Sequence, residues 1–104
     1  MTDTRSTDLL RAAQAAYEQA YRATWHAVTG VELDPAVEVG RWPSGHHMIH
    51  LAHSVMCARD PVAAAAEYGS MISRSVAELA RDGSLSPSAK ERGLKWDLRA
   101  GRAV

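Results

Sequence analysis

Apolar residues recur every three or four positions near the start of the chain, and this spacing predicts an amphipathic helix over about residues 7–29. Ser6 or Thr7 can cap its first turn, and Gly30 can end it. The predicted inward positions are Leu10, Ala13, Tyr17, Ala20, Tyr21, Thr24 and Val28. The charged residues Arg11, Glu18 and Arg22 lie on the opposite side, so this helix should pack along one face only.

The same spacing returns after Asp60-Pro61 and predicts a second long helix over about residues 61–81. Asp accepts hydrogen bonds from the unpaired N–H groups of a first helical turn, and Pro suits the first helical position. Gly83 suits the end of the helix. The predicted inward positions are Ala65, Tyr68, Ile72, Val76 and Leu79, and the outward ones are Glu67, Arg74 and Glu78.

Three other segments have weaker patterns. Residues 45–58 follow a Gly- and Pro-containing loop and are predicted to be helical. Residues 31–39 alternate around Asp34-Pro35, which indicates either a short hairpin or a single helical turn begun by the proline. Ser86-Pro87 restarts the chain, yet residues 94–98 alternate with period two. The tail over residues 84–104 is therefore a frayed helix, an added strand, or a segment that orders only on a partner.

These patterns predict a mainly α fold, a small bundle of three to four helices, with a short β ribbon formed by residues 31–39, residues 94–98 or both. The length of 104 residues fits a single domain over 1–104. Residues 1–6 and 100–104 are expected to be flexible ends.

The composition predicts a thin core. Of the 48 hydrophobic residues, 19 are Ala and 18 are Leu, Ile or Val, and Phe is absent. Few side chains can therefore bury a large apolar area on folding. Such a chain can bring its helices close together over small residues, or it can obtain burial from a second protomer, and we expect a homodimer for this reason.

The charge balance restricts the partners. The 12 basic and 12 acidic residues cancel, so nucleic acid is an unlikely partner. The charges are unevenly placed, and the basic tail around Trp96 is a candidate surface for a protein partner. A single cysteine and a start without the apolar run of a signal peptide predict a cytoplasmic protein. The longest segment without Asp, Glu, Lys or Arg contains four histidines, which argues against a membrane span.

The candidate chemistry lies on the predicted helix over residues 45–58. His46, His50, His53 and Cys57 fall on one side of it, here called the histidine face, and His47 lies at its edge. Pairs spaced i, i+4 chelate zinc, nickel or copper from one helical turn. A rise of about 1.5 Å per residue spreads the four residues too far along the axis to share one ion. A complete site would need ligands from elsewhere, such as His26, Asp60 or a second protomer.

Two catalytic hypotheses start from the same segment. Cys57 lies one turn after His53, but no third group to orient the base is evident, so a structural cysteine is the better interpretation. Arg41 precedes His46 by five positions, a spacing found in HEPN-type helical ribonucleases, where the family implies His as acid or base and Arg as phosphate binder. That similarity covers six residues and has Trp42 where a polar residue is usual, so we assign no family from it.

The sequence therefore favours a small cytoplasmic interaction or regulatory module that is not an enzyme and that associates with itself. His47, Trp42 and Trp96 are its candidate interaction residues. The alternative function is a transition-metal binding or sensing protein that uses the histidine face. The third is an HEPN-like ribonuclease with His46 and Arg41 as catalytic residues.

Overall fold

The computed structural model describes residues 4–39 and 54–104, with side chains from residue 8 onward. It confirms a mainly helical fold with a short antiparallel ribbon. The elements in chain order are helix α1 (Thr4–Thr29), helix α2 (Pro61–Asp82), helix α3 (Pro87–Glu91), strand β1 (Trp96–Asp97) and strand β2 (Arg102–Ala103). Residues 54–56 are also helical; the rest of the helix predicted over 45–58 lies outside the described residues, apart from a turn and bends after residue 56.

Helix α2 begins and ends where the sequence predicts. The Asp60 carboxylate accepts a hydrogen bond from the Ala63 N–H at 3.1 Å, and Pro61 occupies the first turn. Gly83 has a φ of 71°, a left-handed conformation that residues with a Cβ adopt at a cost. This turn lets the Ser84 N–H donate to the Leu79 carbonyl at 2.9 Å and the Gly83 N–H to the Ala80 carbonyl at 3.2 Å, so both carbonyls have partners at the end of the helix.

Helices α1 and α2 run parallel and supply most of the core, to which Leu33 and Val55 also belong. Along α1, contacts occur at every fourth residue. Each of these α1 residues is matched by the α2 residue 52 positions later. The Tyr17 backbone lies against Gly69, and the Ser73 hydroxyl donates to the Tyr21 carbonyl. Ala13 and Ala65 belong to one hydrophobic cluster, and Trp25 and Ala77 to another. The α1 row is mostly aromatic, and the α2 row is small. The two backbones approach closely because the small row leaves room for them.

The small row corrects the predicted inward side of α2. The buried residues are Ala65, Gly69, Ser73, Ala77 and Ala80. Of the predicted set only Ala65 is buried. Tyr68, Ile72 and Val76 are half-buried, and the Leu79 side chain is 50% exposed. The hydrophobic pattern follows large side chains, whereas burial here follows the closest approach of two backbones.

Helix α1 shows a smaller difference of the same kind. Ala13, Tyr17 and Thr24 are buried as predicted, but Leu10 is 36% exposed. Trp25, which the pattern did not place inward, is fully buried, and its indole N–H donates to the Leu98 carbonyl at 2.8 Å. A backbone carbonyl of a distant segment therefore gives this Trp a polar partner that helical periodicity cannot indicate.

Residues 31–39 contain no strand. The Asp34 carboxylate accepts from the Ala36 N–H at 2.9 Å, which forms a turn at Pro35-Ala36. The Arg22 guanidinium, expected to face water, donates to the carbonyls of Asp34, Pro35 and Val37. One arginine therefore fixes this segment against α1 in place of a ladder of backbone hydrogen bonds.

The ribbon forms at residues 94–98, the second of the two predicted segments. Its other strand, β2, also lies in the tail. Trp96 pairs with Ala103 and Asp97 with Arg102, and Lys95 and Val104 exchange backbone hydrogen bonds of 3.0 and 2.8 Å. The Asp34 N–H donates to the Arg99 carbonyl at 2.9 Å, so this hairpin is held against residues 31–39. The single-domain organisation and the flexible ends at 1–6 and 100–104 stay predictions. Among the described helices, none has the length and apolar character needed to cross a bilayer.

Candidate functional site

Most of the predicted chemistry falls on residues that are not described. His46, His50, His53 and His47 lie outside the described part of the chain, as do Arg41 and Trp42. Cys57 is described and exposed, immediately after the helical residues 54–56. Within 4–39 and 54–104, no three His, Cys, Asp or Glu side chains are grouped so as to hold a metal ion. The metal-binding and ribonuclease hypotheses stay predictions.

The additional ligand candidates occupy separate positions. His26 is exposed in the last turn of α1. Asp60 is exposed at the start of α2, where its carboxylate caps the helix through Ala63. Trp96, an expected interaction residue, is half-buried and donates its indole N–H to the Ser84 carbonyl at 2.7 Å. Its hydrogen-bonding edge is therefore used inside the fold.

The structure brings together a groove that the sequence did not indicate. An open groove of about 950 Å³ lies between α1, residues 33–39 and the hairpin turn. Its lining includes the apolar or aromatic side chains of Tyr17, Tyr21, Leu33, Val37, Val39 and Ile72. Asp34 and Arg99 stand among the charged residues that line it, and their side chains approach to 3.9 Å. The charge there is mixed, so the groove does not select strongly for ligands of one sign.

The two tyrosines of the groove are unsuited to act as bases near neutral pH. Burial, together with the nearby Tyr21, raises the pKa of Tyr17 to about 12. Burial also raises the pKa of Tyr21. Both hydroxyls therefore stay protonated throughout the physiological range.

The raised pKa of Tyr17 predicts a loss of stability in alkali. An unfolded tyrosine ionises near pH 10, whereas folded Tyr17 ionises near 12, so the unfolded state releases its proton first as the pH rises. We expect the free energy of unfolding to fall by about 2–3 kcal/mol between pH 10 and 12. Urea unfolding at several pH values measures this loss, and Tyr17→Phe should reduce it. An equal loss in that variant would contradict the assignment.

A second candidate surface lies on the side of α2 that faces away from α1. The Met71 side chain is 54% exposed and that of Leu79 is 50% exposed, with exposed Ser75 between them. These three residues are called the α2 outer face. Helical geometry places them within an arc of about 80°, since successive residues differ by about 100°.

A line of charges runs beside the α2 outer face. It consists of Glu67, Arg74, Glu78 and Arg81, all exposed, and is called the charged row. Its signs alternate along the helix, so it carries no net charge. The sequence pattern identified three of these residues as outward, but it placed Leu79 in the core and therefore missed the apolar surface next to them.

No family model, curated protein or solved structure matches this chain.

Proposed function

We propose that this protein is a small cytoplasmic helical interaction module that is not an enzyme and works by self-association through the α2 outer face. The observation that carries the proposal is the exposure of about half of both Met71 and Leu79 on the helix that otherwise builds the core. Each side chain loses unfavourable contact with water when a second surface covers it. The lone Cys57, which cannot form an internal disulfide, supports a cytoplasmic location.

The thin core supports association. Among the described residues, eight hydrophobic residues are buried, and four of them are alanines, at positions 13, 65, 77 and 80. A core of this kind buries little apolar area per residue, and a small domain commonly makes up such a deficit by oligomerisation. In a dimer of two copies of the chain, each copy supplies the apolar burial that the other lacks.

The apolar area also limits the affinity. Only two large side chains per protomer are available, and each already loses part of its surface to its own helix. The free energy gained by burying them exceeds the entropic cost of association by only a small amount. We therefore expect a dissociation constant of roughly 100 µM, which is typical of a weak, reversible complex.

The proposal is tested by sedimentation equilibrium from about 10 µM to about 1 mM, a range that spans the expected dissociation constant. The mass of the wild-type protein should rise from monomer towards dimer. The double variant Met71→Ser with Leu79→Ser should stay monomeric, with the same far-UV circular dichroism. The control Leu9→Ser removes an apolar side chain that is 37% exposed on α1, and it should associate like the wild type.

Two outcomes would overturn the proposal. The first is a wild-type protein that stays monomeric up to about 1 mM, since a weaker complex would not form at a useful concentration. The second is a dimer whose dissociation constant is unchanged in the Met71→Ser, Leu79→Ser variant, because its interface would then lie elsewhere on the molecule.

A further inference from the structure

We propose that two copies associate with their α2 helices antiparallel, around a twofold axis that passes beside Ser75. This inference rests on the proposed self-association and specifies its geometry. Ser75 is exposed and is the smallest residue of the α2 outer face, so it allows the two helices to approach closely at the axis. A twofold dimer uses the same surface on both copies, and that surface must therefore be complementary to itself.

The apolar residues fit this symmetry. Met71 lies four positions before Ser75, and Leu79 lies four positions after it. In an antiparallel pair, Met71 of one copy therefore lies at the same height as Leu79 of the second copy. A parallel pair would also match apolar residues, Met71 with Met71 and Leu79 with Leu79. The apolar positions therefore determine which face of α2 is used and where the twofold axis passes. They do not determine whether the two helices are parallel or antiparallel.

The charged row decides the direction. Reversing the order of Glu67, Arg74, Glu78 and Arg81 also reverses every sign. In the antiparallel pair, Glu67 lies level with Arg81 of the second copy to within two residues, or about 3 Å along the axis. In a parallel pair the twofold axis runs along the helices, so the two charged rows lie on opposite sides of the interface and do not contact each other.

Near the twofold axis, Arg74 of one copy and Glu78 of the second copy also differ by only about 3 Å in position along the helix axis. The two Arg74 side chains also approach each other there, and the two Glu78 carboxylates offset that repulsion. The twofold symmetry brings the charged rows of the two helices to the same side of the interface, so these contacts are geometrically possible.

The charges are available for such contacts. Within the described part of the chain, Glu67, Arg74 and Glu78 form no ion pair, and Arg81 pairs only with its neighbour Asp82 at 3.2 Å. Arg81 and Asp82 are 52% and 59% exposed, so that pair is solvated and easily exchanged. Exposed ion pairs add little affinity individually, but only the antiparallel pair brings opposite charges of the two rows together, and the row therefore favours that orientation.

Cross-linking tests the position of the axis. In a Cys57→Ser background, Ser75→Cys should form a disulfide between copies in a glutathione redox buffer, because the two thiols meet at the axis. The control Glu67→Cys should not cross-link, because its two thiols would lie about 24 Å apart along the helices. Both sites are exposed positions of the same helix, so thiol reactivity with a maleimide provides a check of equal access.

Exchange of charges tests the direction. Glu67→Arg with Glu78→Arg makes the row entirely basic, and Arg74→Glu with Arg81→Glu makes it entirely acidic. Each variant alone should associate at least about tenfold more weakly than the wild type because like charges meet. An equimolar mixture should associate at least as tightly as the wild type and should lose that gain in about 1 M salt.

The outcomes separate this inference from the proposed function. A wild-type dimer that is lost in the Met71→Ser, Leu79→Ser variant, but in which Glu67→Cys cross-links as well as Ser75→Cys, does not have the proposed antiparallel register and overturns the inference alone. Failure of Ser75→Cys to cross-link in such a dimer, or failure of the charge variants to recover on mixing, has the same consequence. A protein that remains monomeric overturns both.

Discussion

Replacing Gly69 with Ala should destabilise the protein by about 2–4 kcal/mol, although Gly→Ala in the middle of a helix ordinarily stabilises by about 1 kcal/mol. The added Cβ would collide with the carbonyl oxygen of Tyr17 on α1. That oxygen belongs to the helix backbone and cannot rotate away, so the two helices must separate. Separation also lengthens the nearby bond in which the Ser73 hydroxyl donates to the Tyr21 carbonyl at 2.7 Å.

Urea unfolding followed by circular dichroism measures this effect. The matched control is Ser75→Ala, a small substitution at an exposed position of the same helix, which should change the free energy of unfolding by less than about 0.5 kcal/mol. A Gly69→Ala variant that is as stable as the wild type, or more stable, would show that α1 and α2 are not in contact at this point.

Replacing Trp25 with Ala should cost about 3–5 kcal/mol, the range for removing a large aromatic side chain from a core. Trp25 is completely buried and belongs to a hydrophobic cluster with Leu33, Ala77 and Ala80. Leu33 comes from residues 31–39, and Ala77 and Ala80 come from α2. The Trp25 indole also binds the tail by donating to the Leu98 carbonyl at 2.8 Å. One side chain therefore joins most of the fold.

A conservative substitution separates the two roles of Trp25. Trp25→Phe keeps an aromatic ring but loses the hydrogen bond to Leu98, so it should cost less than Ala and should act mainly on the tail. Amide hydrogen exchange at Lys95 and Val104, whose N–H groups pair across the hairpin, should accelerate. The control Trp96→Phe removes an indole bond to Ser84 at an exposed edge and should affect global stability less. Equal global losses for Trp25→Phe and Trp96→Phe would contradict the central role of Trp25.

The self-association proposal depends on residues that a sequence pattern assigns to the interior. Leu79 continues the i, i+3, i+4 series that predicts the apolar side of α2, so the pattern places it in the core. Its exposure follows from the rotation of the helix, which turns the small residues towards α1. The apolar surface proposed for dimerisation could not be identified before that rotation was known.

The amino-acid sequence was sufficient to place both long helices, because the signals involved are local: Asp60 and Pro61 at a start, Gly30 and Gly83 at the ends, and apolar residues at helical spacing. It also gave the close approach of helices as one of two ways in which a chain rich in Ala and without Phe can bury area, the other being a second protomer. Local hydrogen bonding and helical periodicity act over a few residues and can be found without the fold.

Which side of each helix is buried depends on how the two helices pack together. The row Ala65, Gly69, Ser73 and Ala77 is less hydrophobic than the neighbouring row that contains Tyr68 and Ile72, yet it is the buried one. Its small side chains let two backbones meet, and the energy gained depends on the shape of the opposite helix. The partner of Trp25 and the contacts of Arg22 likewise come from segments far along the chain, whose positions no local pattern specifies.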